Sequence, residues 1–450
     1  MKNLKISVSG VRGIVGDGLT PDVVLRFAQA YGSEFGPGTI VVGRDSRLTG
    51  EMLQYAVWSG LMSVGCDVLD VGVVPTPTVE LAVEAPKCAG GIIITASHNP
   101  KEWNALKMLA PDGLFLNPDQ GQNVLFRVQN GHIAHAAWDR IGSMNRDRRA
   151  VARHLKAIVE LDHIDVDRIR GRRFRIVADP CRGAGGTVLP QLFDLLGCEA
   201  HIINAEPDGR FPRSPEPVAE NLDELCRAVR EHGADLGIAV DPDVDRLHLV
   251  SEKGEPIGEE YTLALAVQFA LCKRAGDVVV NVSTSRVIDE IATSYGGRVS
   301  RTPVGEIHVA SMARTIGAVV AGEGNGGIIY PPLHLGRDAV VGIALILQHL
   351  AETGRKLSEM YSALPRYVMI KTRVELPFEA DAAGYVKELA NRHKGEDGDT
   401  TDGIKFFGDR SWVHIRASNT EPIIRVIAEA PTREQAEKEA ARYVSEIERI

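Results

Sequence analysis

The sequence predicts an α/β protein of several domains, built on largely parallel sheets with helices on both faces. Apolar runs of strand type, such as Thr39–Val42, Ile92–Ile94 and Leu236–Val240, alternate with stretches of helical spacing roughly 12 residues long. The chain has 450 residues, more than one core organises, so roughly three or four domains of about 100 to 150 residues are expected. Its composition, 44% hydrophobic and 25% charged, is that of a folded chain and argues against disorder.

The elements follow in order. Ile6–Gly13 starts as a strand in which Gly10 and Gly13 flank Arg12, a cation that taken alone reads as an ordinary surface residue. Pro21–Gly32 has helical spacing, with Thr20 as N-cap and Pro21 in the first turn. Thr39–Arg47 and Cys66–Gly72 repeat the pattern of an apolar run ending in glycine or polar residues, and Val74–Thr78 is a proline-rich turn. The run Gly90–Ile94 then stops at Thr95-Ala96-Ser97-His98-Asn99-Pro100, where the proline forbids regular continuation. Ser97 therefore stands where a buried strand surfaces, as a nucleophile, a phosphate carrier or a turn residue.

A charged stretch, Asn145–Arg149, leads into a helix expected to run through Leu161, and a second α/β unit begins with strand Phe174–Asp179. The glycine loop Arg182–Gly186 lacks the P-loop lysine and the dinucleotide spacing, so a packing role is expected for it. After strand Leu236–Val240 come Asp241, Asp243 and Asp245 at alternate positions, followed by Arg246. Three carboxylates turned toward one point repel unless a divalent cation relieves them, and hard oxygen donors suit Mg2+. An EF-hand is excluded, because the sixth position is Arg246 in place of glycine and the preceding element is a strand.

The third unit holds helix Tyr261–Cys272, strand Val278–Val282, the turn Arg301–Glu306 and strand Ala318–Ala321 running into Gly322–Gly327. That loop sets Glu323 and Asn325 among glycines, a pairing suited to bracketing vicinal sugar hydroxyls. The last segment carries strand Trp412–Ile415, the loop Arg416–Pro422, strand Ile423–Ala428 and an amphipathic helix from Thr432. Arg416, Ser418, Asn419, Thr420 and Arg425 form the donor inventory of a phosphate site.

Other classes are excluded by charge and length of apolar runs. A formal net charge of -9 with no basic stripe opposes nucleic acid binding. The longest apolar stretches, such as Ala339–Leu347, are too short to span a bilayer, and no extended apolar leader opens the chain, so no membrane role and a cytoplasmic location are expected. The six cysteines show no metal or redox spacing, and Cys66, Cys198 and Cys272 are expected to be buried thiols.

With these motifs in place the chain resembles the α-D-phosphohexomutase family, from Arg12 to Arg425. Ser97-His98-Asn99-Pro100 looks like its phosphoserine loop, Asp241–Arg246 its magnesium loop, Gly322–Gly327 its sugar loop and Arg416–Glu421 its phosphate loop. The resemblance implies four domains around a central cleft, three related mixed α/β sheet domains and a smaller C-terminal α+β domain. They are expected at 1–147, 148–252, 253–364 and 365–450. It implies a cytoplasmic enzyme, a monomer or homodimer, that interconverts hexose 6-phosphates and hexose 1-phosphates. Phosphoserine 97 and a hexose 1,6-bisphosphate intermediate would carry the phosphate. Ser97, Asp241, Asp243 and Asp245 would hold Mg2+. Arg12, His98, Lys107 and Arg246 would act at the reacting phosphate, Lys107 also in proton transfer, while the C-terminal loop grips the other phosphate.

Two departures bear on substrate. Members acting on glucose or mannose phosphates commonly carry serine and histidine where this chain has Asn325 and Gly327, leaving His334 as a nearby imidazole. They often have histidine after Val304-Gly305 where this chain has Glu306, an acid similar to glucosamine-directed members. Glucosamine phosphate is accordingly expected, with glucose or mannose phosphate as the alternative. A phosphatase or a non-catalytic sugar-phosphate sensor are the rivals outside the mutases. A hinge is expected near residues 365 to 368.

Overall fold

The structure is a computed structural model that describes residues 4–7, 10–85, 88–377, 380–395, 397–418 and 423–450. Four separate sheets organise it. The first has eight strands and places Thr39–Arg44, Asp67–Val73 and Cys88–Ile94 in parallel, while Trp103–Leu109, Gly10–Val15 and Leu4–Ser7 extend it antiparallel. The second and third sheets share one connectivity. Each sets three parallel strands beside a fourth that folds back antiparallel, Leu247–Ser251 in one and Gly327–Ile329 in the other. The fourth sheet is wholly antiparallel, with five strands, and the helices Ala382–Arg392 and Arg433–Ile447 pack on it.

The α/β sheets are mixed, as the resemblance implies: parallel strands run through each, and antiparallel strands extend one edge. Three marked loops connect a buried strand to an antiparallel neighbour: Thr95–Glu102, Asp241–Arg246 and Gly324–Gly326. A short return is possible only between antiparallel strands, since a parallel partner needs a long crossover. Strands Trp412–Ala417 and Ile423–Ala430 are likewise antiparallel neighbours, so the segment between them is a short return. Strand Val320–Glu323 also runs further than expected, so Glu323 ends a strand and is held by its ladder.

Helices behave as their sequences dictate, with small differences at the ends. Helix Pro21–Phe35 begins at Pro21, which supplies the pre-set φ of a first helical residue; Thr20 stands at the N-cap position, but its hydroxyl donates to Asp22 Oδ1 at 2.5 Å and makes no capping bond to the backbone. The helix expected through Leu161 stops at Val159, and a second one, Val166–Arg172, follows. Helix Ala339–Thr353 is buried along nearly its whole length, as its apolar sequence requires, and Asp338 caps it by accepting from Val340 N at 2.7 Å. Together with Glu259–Lys273 it joins the second and third domains in one continuous apolar core. Each leucine buried there contributes roughly 1.5–3 kcal/mol of transfer free energy.

The cysteines correct one expectation. Cys66 is buried, but Cys198 is half-buried and Cys272 is exposed. Cys272 lies one residue from the end of its helix, where even an apolar run meets solvent. The glycine loop does pack: a Cβ on Gly183 would stand 2.6 Å from Pro242 Cα, and Ala184 N donates to Pro242 O at 2.8 Å, directly under the aspartate loop.

Candidate active site

Ser97 has φ +48 and is 7% exposed. A serine is held in this left-handed conformation only where its surroundings fix it. Thr95 Oγ1 accepts from Ser97 N at 3.0 Å and donates to Asp45 Oδ2 at 2.6 Å. Asp45 also accepts from Arg47 Nε at 3.0 Å, and Arg47 in turn donates to the Ser97 carbonyl at 2.6 Å. The turn therefore presents the serine hydroxyl toward the second domain. Ser97 Oγ donates to Asp241 Oδ2 at 2.7 Å, and His98 Nδ1 lies 3.3 Å from the same hydroxyl.

The three aspartates are fully buried, and one oxygen from each lies within 4.8 Å of the others. Their outer oxygens are held. Asp241 Oδ1 accepts from the backbone N–H of Asp245 and Arg246, both at 3.1 Å. Asp243 Oδ2 accepts from Thr76 Oγ1 at 2.8 Å and Lys107 Nζ at 2.7 Å, and Asp245 Oδ2 accepts from Arg337 Nη2 at 2.7 Å. Asp243 Oδ1 and Asp245 Oδ1 are buried and have no hydrogen-bond partner. Buried acceptors without partners are costly, so two orphan carboxylate oxygens beside Asp241 Oδ2 and a serine hydroxyl fit a hard divalent cation. Burial, and then the charges of Asp245 and Asp243, push the Asp241 carboxyl well above the usual range, which is the repulsion such a cation removes.

Ser97 and His98 line a cavity of about 560 Å³, a size suited to a small ligand, with residues of the first, third and fourth sheets and Glu216 and Arg246 from loops of the second domain. Asp241, Asp243 and Asp245 do not line it themselves but bond to Ser97, Lys107 and Arg337, which do. Arg12 enters from the strand Gly10–Val15, opposite Ala105, and Lys107 from the neighbouring strand. Burial opposes the Lys107 ammonium, but Asp243 and Asp245 outweigh it and raise its pKa. Arg246 lines the same cavity and donates from Nη1 to Glu216 at 2.8 Å. From the third domain come Glu306, Glu323 and Asn325. Glu323 is fully committed: Oε1 accepts from Asn281 at 2.8 Å and Gly305 N at 3.0 Å, and Oε2 from Arg337 at 2.9 Å. Asn325 Oδ1 accepts from Gly327 N at 3.1 Å, closing the turn.

The C-terminal domain supplies Arg416 and Arg425, register partners on adjacent strands, and Lys371. Arg416 Nε lies 3.4 Å from Asp402, and Ser418 N donates to Ile423 O at 3.0 Å. Asn419 and Thr420 lie outside the described residues. His334 is not among the residues lining the cavity. It contacts Asp338 at 3.3 Å in a buried junction where His154 joins Asp338, at 2.8 Å, to Thr78, at 2.9 Å.

Sequence reasoning missed Arg47, Thr76, Asn281, Arg337 and Lys371. A signal existed only for Lys371, since Lys371 and Arg373 are cations at alternate positions of a strand.

Profiles of the phosphoglucomutase/phosphomannomutase α/β/α domains I, II and III match residues 3–132, 152–254 and 258–367, and that of the C-terminal domain matches 369–446. The chain belongs to the phosphoglucomutase/phosphomannomutase family. It is a phosphohexomutase, an intramolecular phosphotransferase of four domains. A protein named probable phosphoglucosamine mutase from Methanopyrus kandleri is 41% identical, covering 98% of this chain and 97% of its own. A phosphoglucomutase/phosphomannomutase from Thermococcus kodakarensis is 40% identical over 95% of this chain and 94% of its own. A crystal structure of a phosphoglucomutase/phosphomannomutase family protein from Burkholderia thailandensis superposes with a TM-score of 0.84 at 27% identity, covering 98% of both chains. The cavity carries cations from more than one domain. Here Arg12, Lys107 and Arg246 come from the first two, and Lys371, Arg416 and Arg425 from the last. No helix among the described residues is long and apolar enough to cross a membrane.

Proposed function

We propose that this phosphohexomutase works through a phosphate carried on Ser97, donated to the free hydroxyl of a hexose monophosphate and recovered from the other end of the resulting hexose 1,6-bisphosphate. The observation that carries the reading is the Ser97 hydroxyl 2.7 Å from Asp241, whose neighbours Asp243 and Asp245 each keep a buried carboxylate oxygen without a hydrogen-bond partner. Asp241, Asp243 and Asp245 would hold Mg2+ with an oxygen on Ser97, and the ion supplies charge neutralisation on the transferring group. Arg12, Lys107 and Arg246 add fixed positive charge there, and His98 lies against the serine oxygen. Lys107, on the strand beside that of Arg12 and bonded to Asp243, would assist proton transfer at the attacking sugar hydroxyl. Arg416, Arg425 and Lys371, with Ser418, Asn419 and Thr420, would grip the phosphate that is not reacting. Phosphate is symmetrical, so this grip tolerates both orientations of the bisphosphate. Domains at 1–147, 148–252, 253–364 and 365–450 accord with this division of labour.

Glucosamine phosphate is the first substrate proposed, supported by the relative from Methanopyrus kandleri and by Glu306 in the cavity wall. A specific observation favours glucose or mannose phosphate as the second reading. Both Glu306 oxygens already accept from Arg337, at 2.7 and 3.0 Å, so an ammonium on the sugar would share that carboxylate with a guanidinium.

Intact-mass spectrometry tests the carrier: a phosphate adduct mapped to Ser97, lost with all turnover in Ser97→Ala, is expected. Retained mutase activity in that variant overturns the mechanism. For the sugar, kcat/KM on glucosamine, glucose and mannose phosphates decides, and a preference for a neutral sugar that survives in Glu306→Gln establishes the second reading.

A further inference from the structure

Gly327 and Arg337 compete for the same space. A Cβ built on Gly327 would stand 2.3 Å from Arg337 Cδ and 3.1 Å from its Cγ, so the arginine stem lies where any side chain at 327 would begin. Beyond that point the guanidinium divides among three carboxylates. Nε donates to Glu306 Oε2 at 3.0 Å, Nη1 to Glu323 Oε2 at 2.9 Å and Nη2 to Asp245 Oδ2 at 2.7 Å. Its backbone N–H holds the other Glu306 oxygen.

We infer that Arg337 is a positioning residue that locks the metal-facing Asp245 and the sugar-facing Glu323 into one unit, and that Gly327 is a glycine because this arginine crosses it. The inference rests on reading the cavity as the mutase site. Three features of the geometry carry it. With Asp245 Oδ2 tied to Arg337, the orphan Oδ1 is the oxygen left for a cation. With Oε2 tied to Arg337 and Oε1 to Asn281 and Gly305, the Glu323 carboxyl cannot rotate about its own axis without breaking a bond. A planar fork reaches three acceptors in fixed directions, which the point charge of a lysine cannot do. The guanidinium also stays protonated, so it contributes fixed charge and no proton transfer. It thereby supplies a cation beside the sugar loop, in the space left open by the missing side chain at 327.

Four full-length variants test this: Arg337→Met, Arg337→Lys, Gly327→Ala and the double variant Gly327→Ala/Arg337→Met. Calorimetric titration with Mn2+, without sugar, is read beside kcat and KM in Mg2+. Loss of an outer-shell partner of a ligand typically costs about 10 to 100-fold in affinity or activity. Arg337→Met is therefore expected to weaken Mn2+ by about 10-fold or more and to lower kcat more than it raises KM. Arg337→Lys should recover part of both. Gly327→Ala should shift both in the same direction by displacing the stem, and the double variant should be no worse than Arg337→Met. A folded Arg337→Met with wild-type Mn2+ affinity and kcat overturns the inference, as does strict additivity of the two substitutions. If Arg337→Met does not fold, the lysine and alanine variants decide by the same criteria. Absence of mutase turnover in the wild type overturns the reading of the cavity instead, and the Mn2+ arm still judges Arg337.

Discussion

Arg47 donates to the main-chain carbonyl of Ser97 at 2.6 Å, and the same guanidinium holds the carbonyls of Asn99, Pro100 and Trp103 at 2.7, 2.7 and 2.9 Å. The side chain is 1% exposed and pairs with Asp45. Nη1 and Nη2 thus hold the turn that carries the serine and the start of the next strand, while Nε donates to Asp45. Arg47→Met removes the partner of Asp45 and of four carbonyls, and breaking a buried pair in this way costs about 3–5 kcal/mol. A lower Tm is expected, with kcat falling further than KM rises because the serine turn loses its support. Arg47→Lys should recover stability better than kcat. A variant with wild-type kcat shows that the turn holds itself.

The aspartate site makes its own prediction. Asp243→Asn keeps the shape of the side chain but removes one of three charges, and ligand charge sets affinity for hard cations. Mn2+ affinity measured by calorimetry should fall by about 10-fold or more. Chelation of the wild type should abolish turnover, and Mg2+ should restore it. Activity that survives exhaustive chelation excludes a metal-assisted transfer.

Gly183 supports that site from below. Alanine there would put a methyl group 2.6 Å from Pro242 Cα and 2.8 Å from its carbonyl oxygen. Backbone cannot yield as a flexible side chain does, so the aspartate loop must shift. Gly183→Ala should lower both Tm and Mn2+ affinity, although residue 183 touches no cation. Unchanged metal affinity would make the glycine loop a matter of stability alone.

These relationships explain what the sequence disclosed and what it withheld. The aspartates are legible because alternate positions after a buried strand bring them together locally, with no tertiary information. Ser97 is legible for the same reason, as a hydroxyl at the end of an apolar run. Arg47 lies 50 residues from Ser97, and Arg337 lies 92 from Asp245, so no spacing announces either. Glu306 is the instructive case. Its place in the cavity follows the sequence reading, but its partner Arg337 is set by the path of a chain 31 residues further on. The antiparallel edges were also hidden from periodicity, because an apolar strand reads alike in either direction.

His414 gives a pH dependence. Burial pulls its pKa down to about 4, despite the carbonyl of Asp402 and the charge of that residue, which act the other way. An unfolded histidine titrates near 6.5, so between about pH 6.5 and 4 the unfolded chain holds a proton that the folded chain refuses. Stability therefore falls as pH drops through that window, with a slope of up to about 1.4 kcal/mol per pH unit from this group, and levels off below it. Denaturation followed from pH 7 to 4 should show a shallower loss in His414→Asn. An identical slope in the variant assigns the acid sensitivity to other groups, His349 first, since burial lowers it to about 4 as well.

The contacts of His414 lead to the last prediction, because it meets Ser283 of the third domain at 2.9 Å. Beside it Lys405, 1% exposed, donates to the carbonyl of Val282 at 2.7 Å and lies 3.8 Å from the centre of the Trp412 ring. Burial, and then Arg301, lower its ammonium pKa well below normal, so the lysine is held at a cost. Replacing a costly buried cation by an apolar side chain is often neutral or stabilising, so Lys405→Met should leave the Tm close to wild type. What it removes is one bond across the two domains. Asp402 adds a third tie by accepting from Val304 N at 3.1 Å, and the chain enters the last domain at Tyr367, whose N–H donates to Tyr261 at 2.8 Å. A hinge near residues 365 to 368 would let Arg416 and Arg425 leave the cavity more readily once the ties at Val282 and Ser283 are cut. Small-angle scattering of Lys405→Met combined with Ser283→Ala should show a larger radius of gyration than the wild type, and a raised KM for sugar phosphate with kcat less affected. An unchanged radius with unchanged KM would mean that the remaining contacts hold the clamp in place and that residues 365 to 368 are not where the molecule opens.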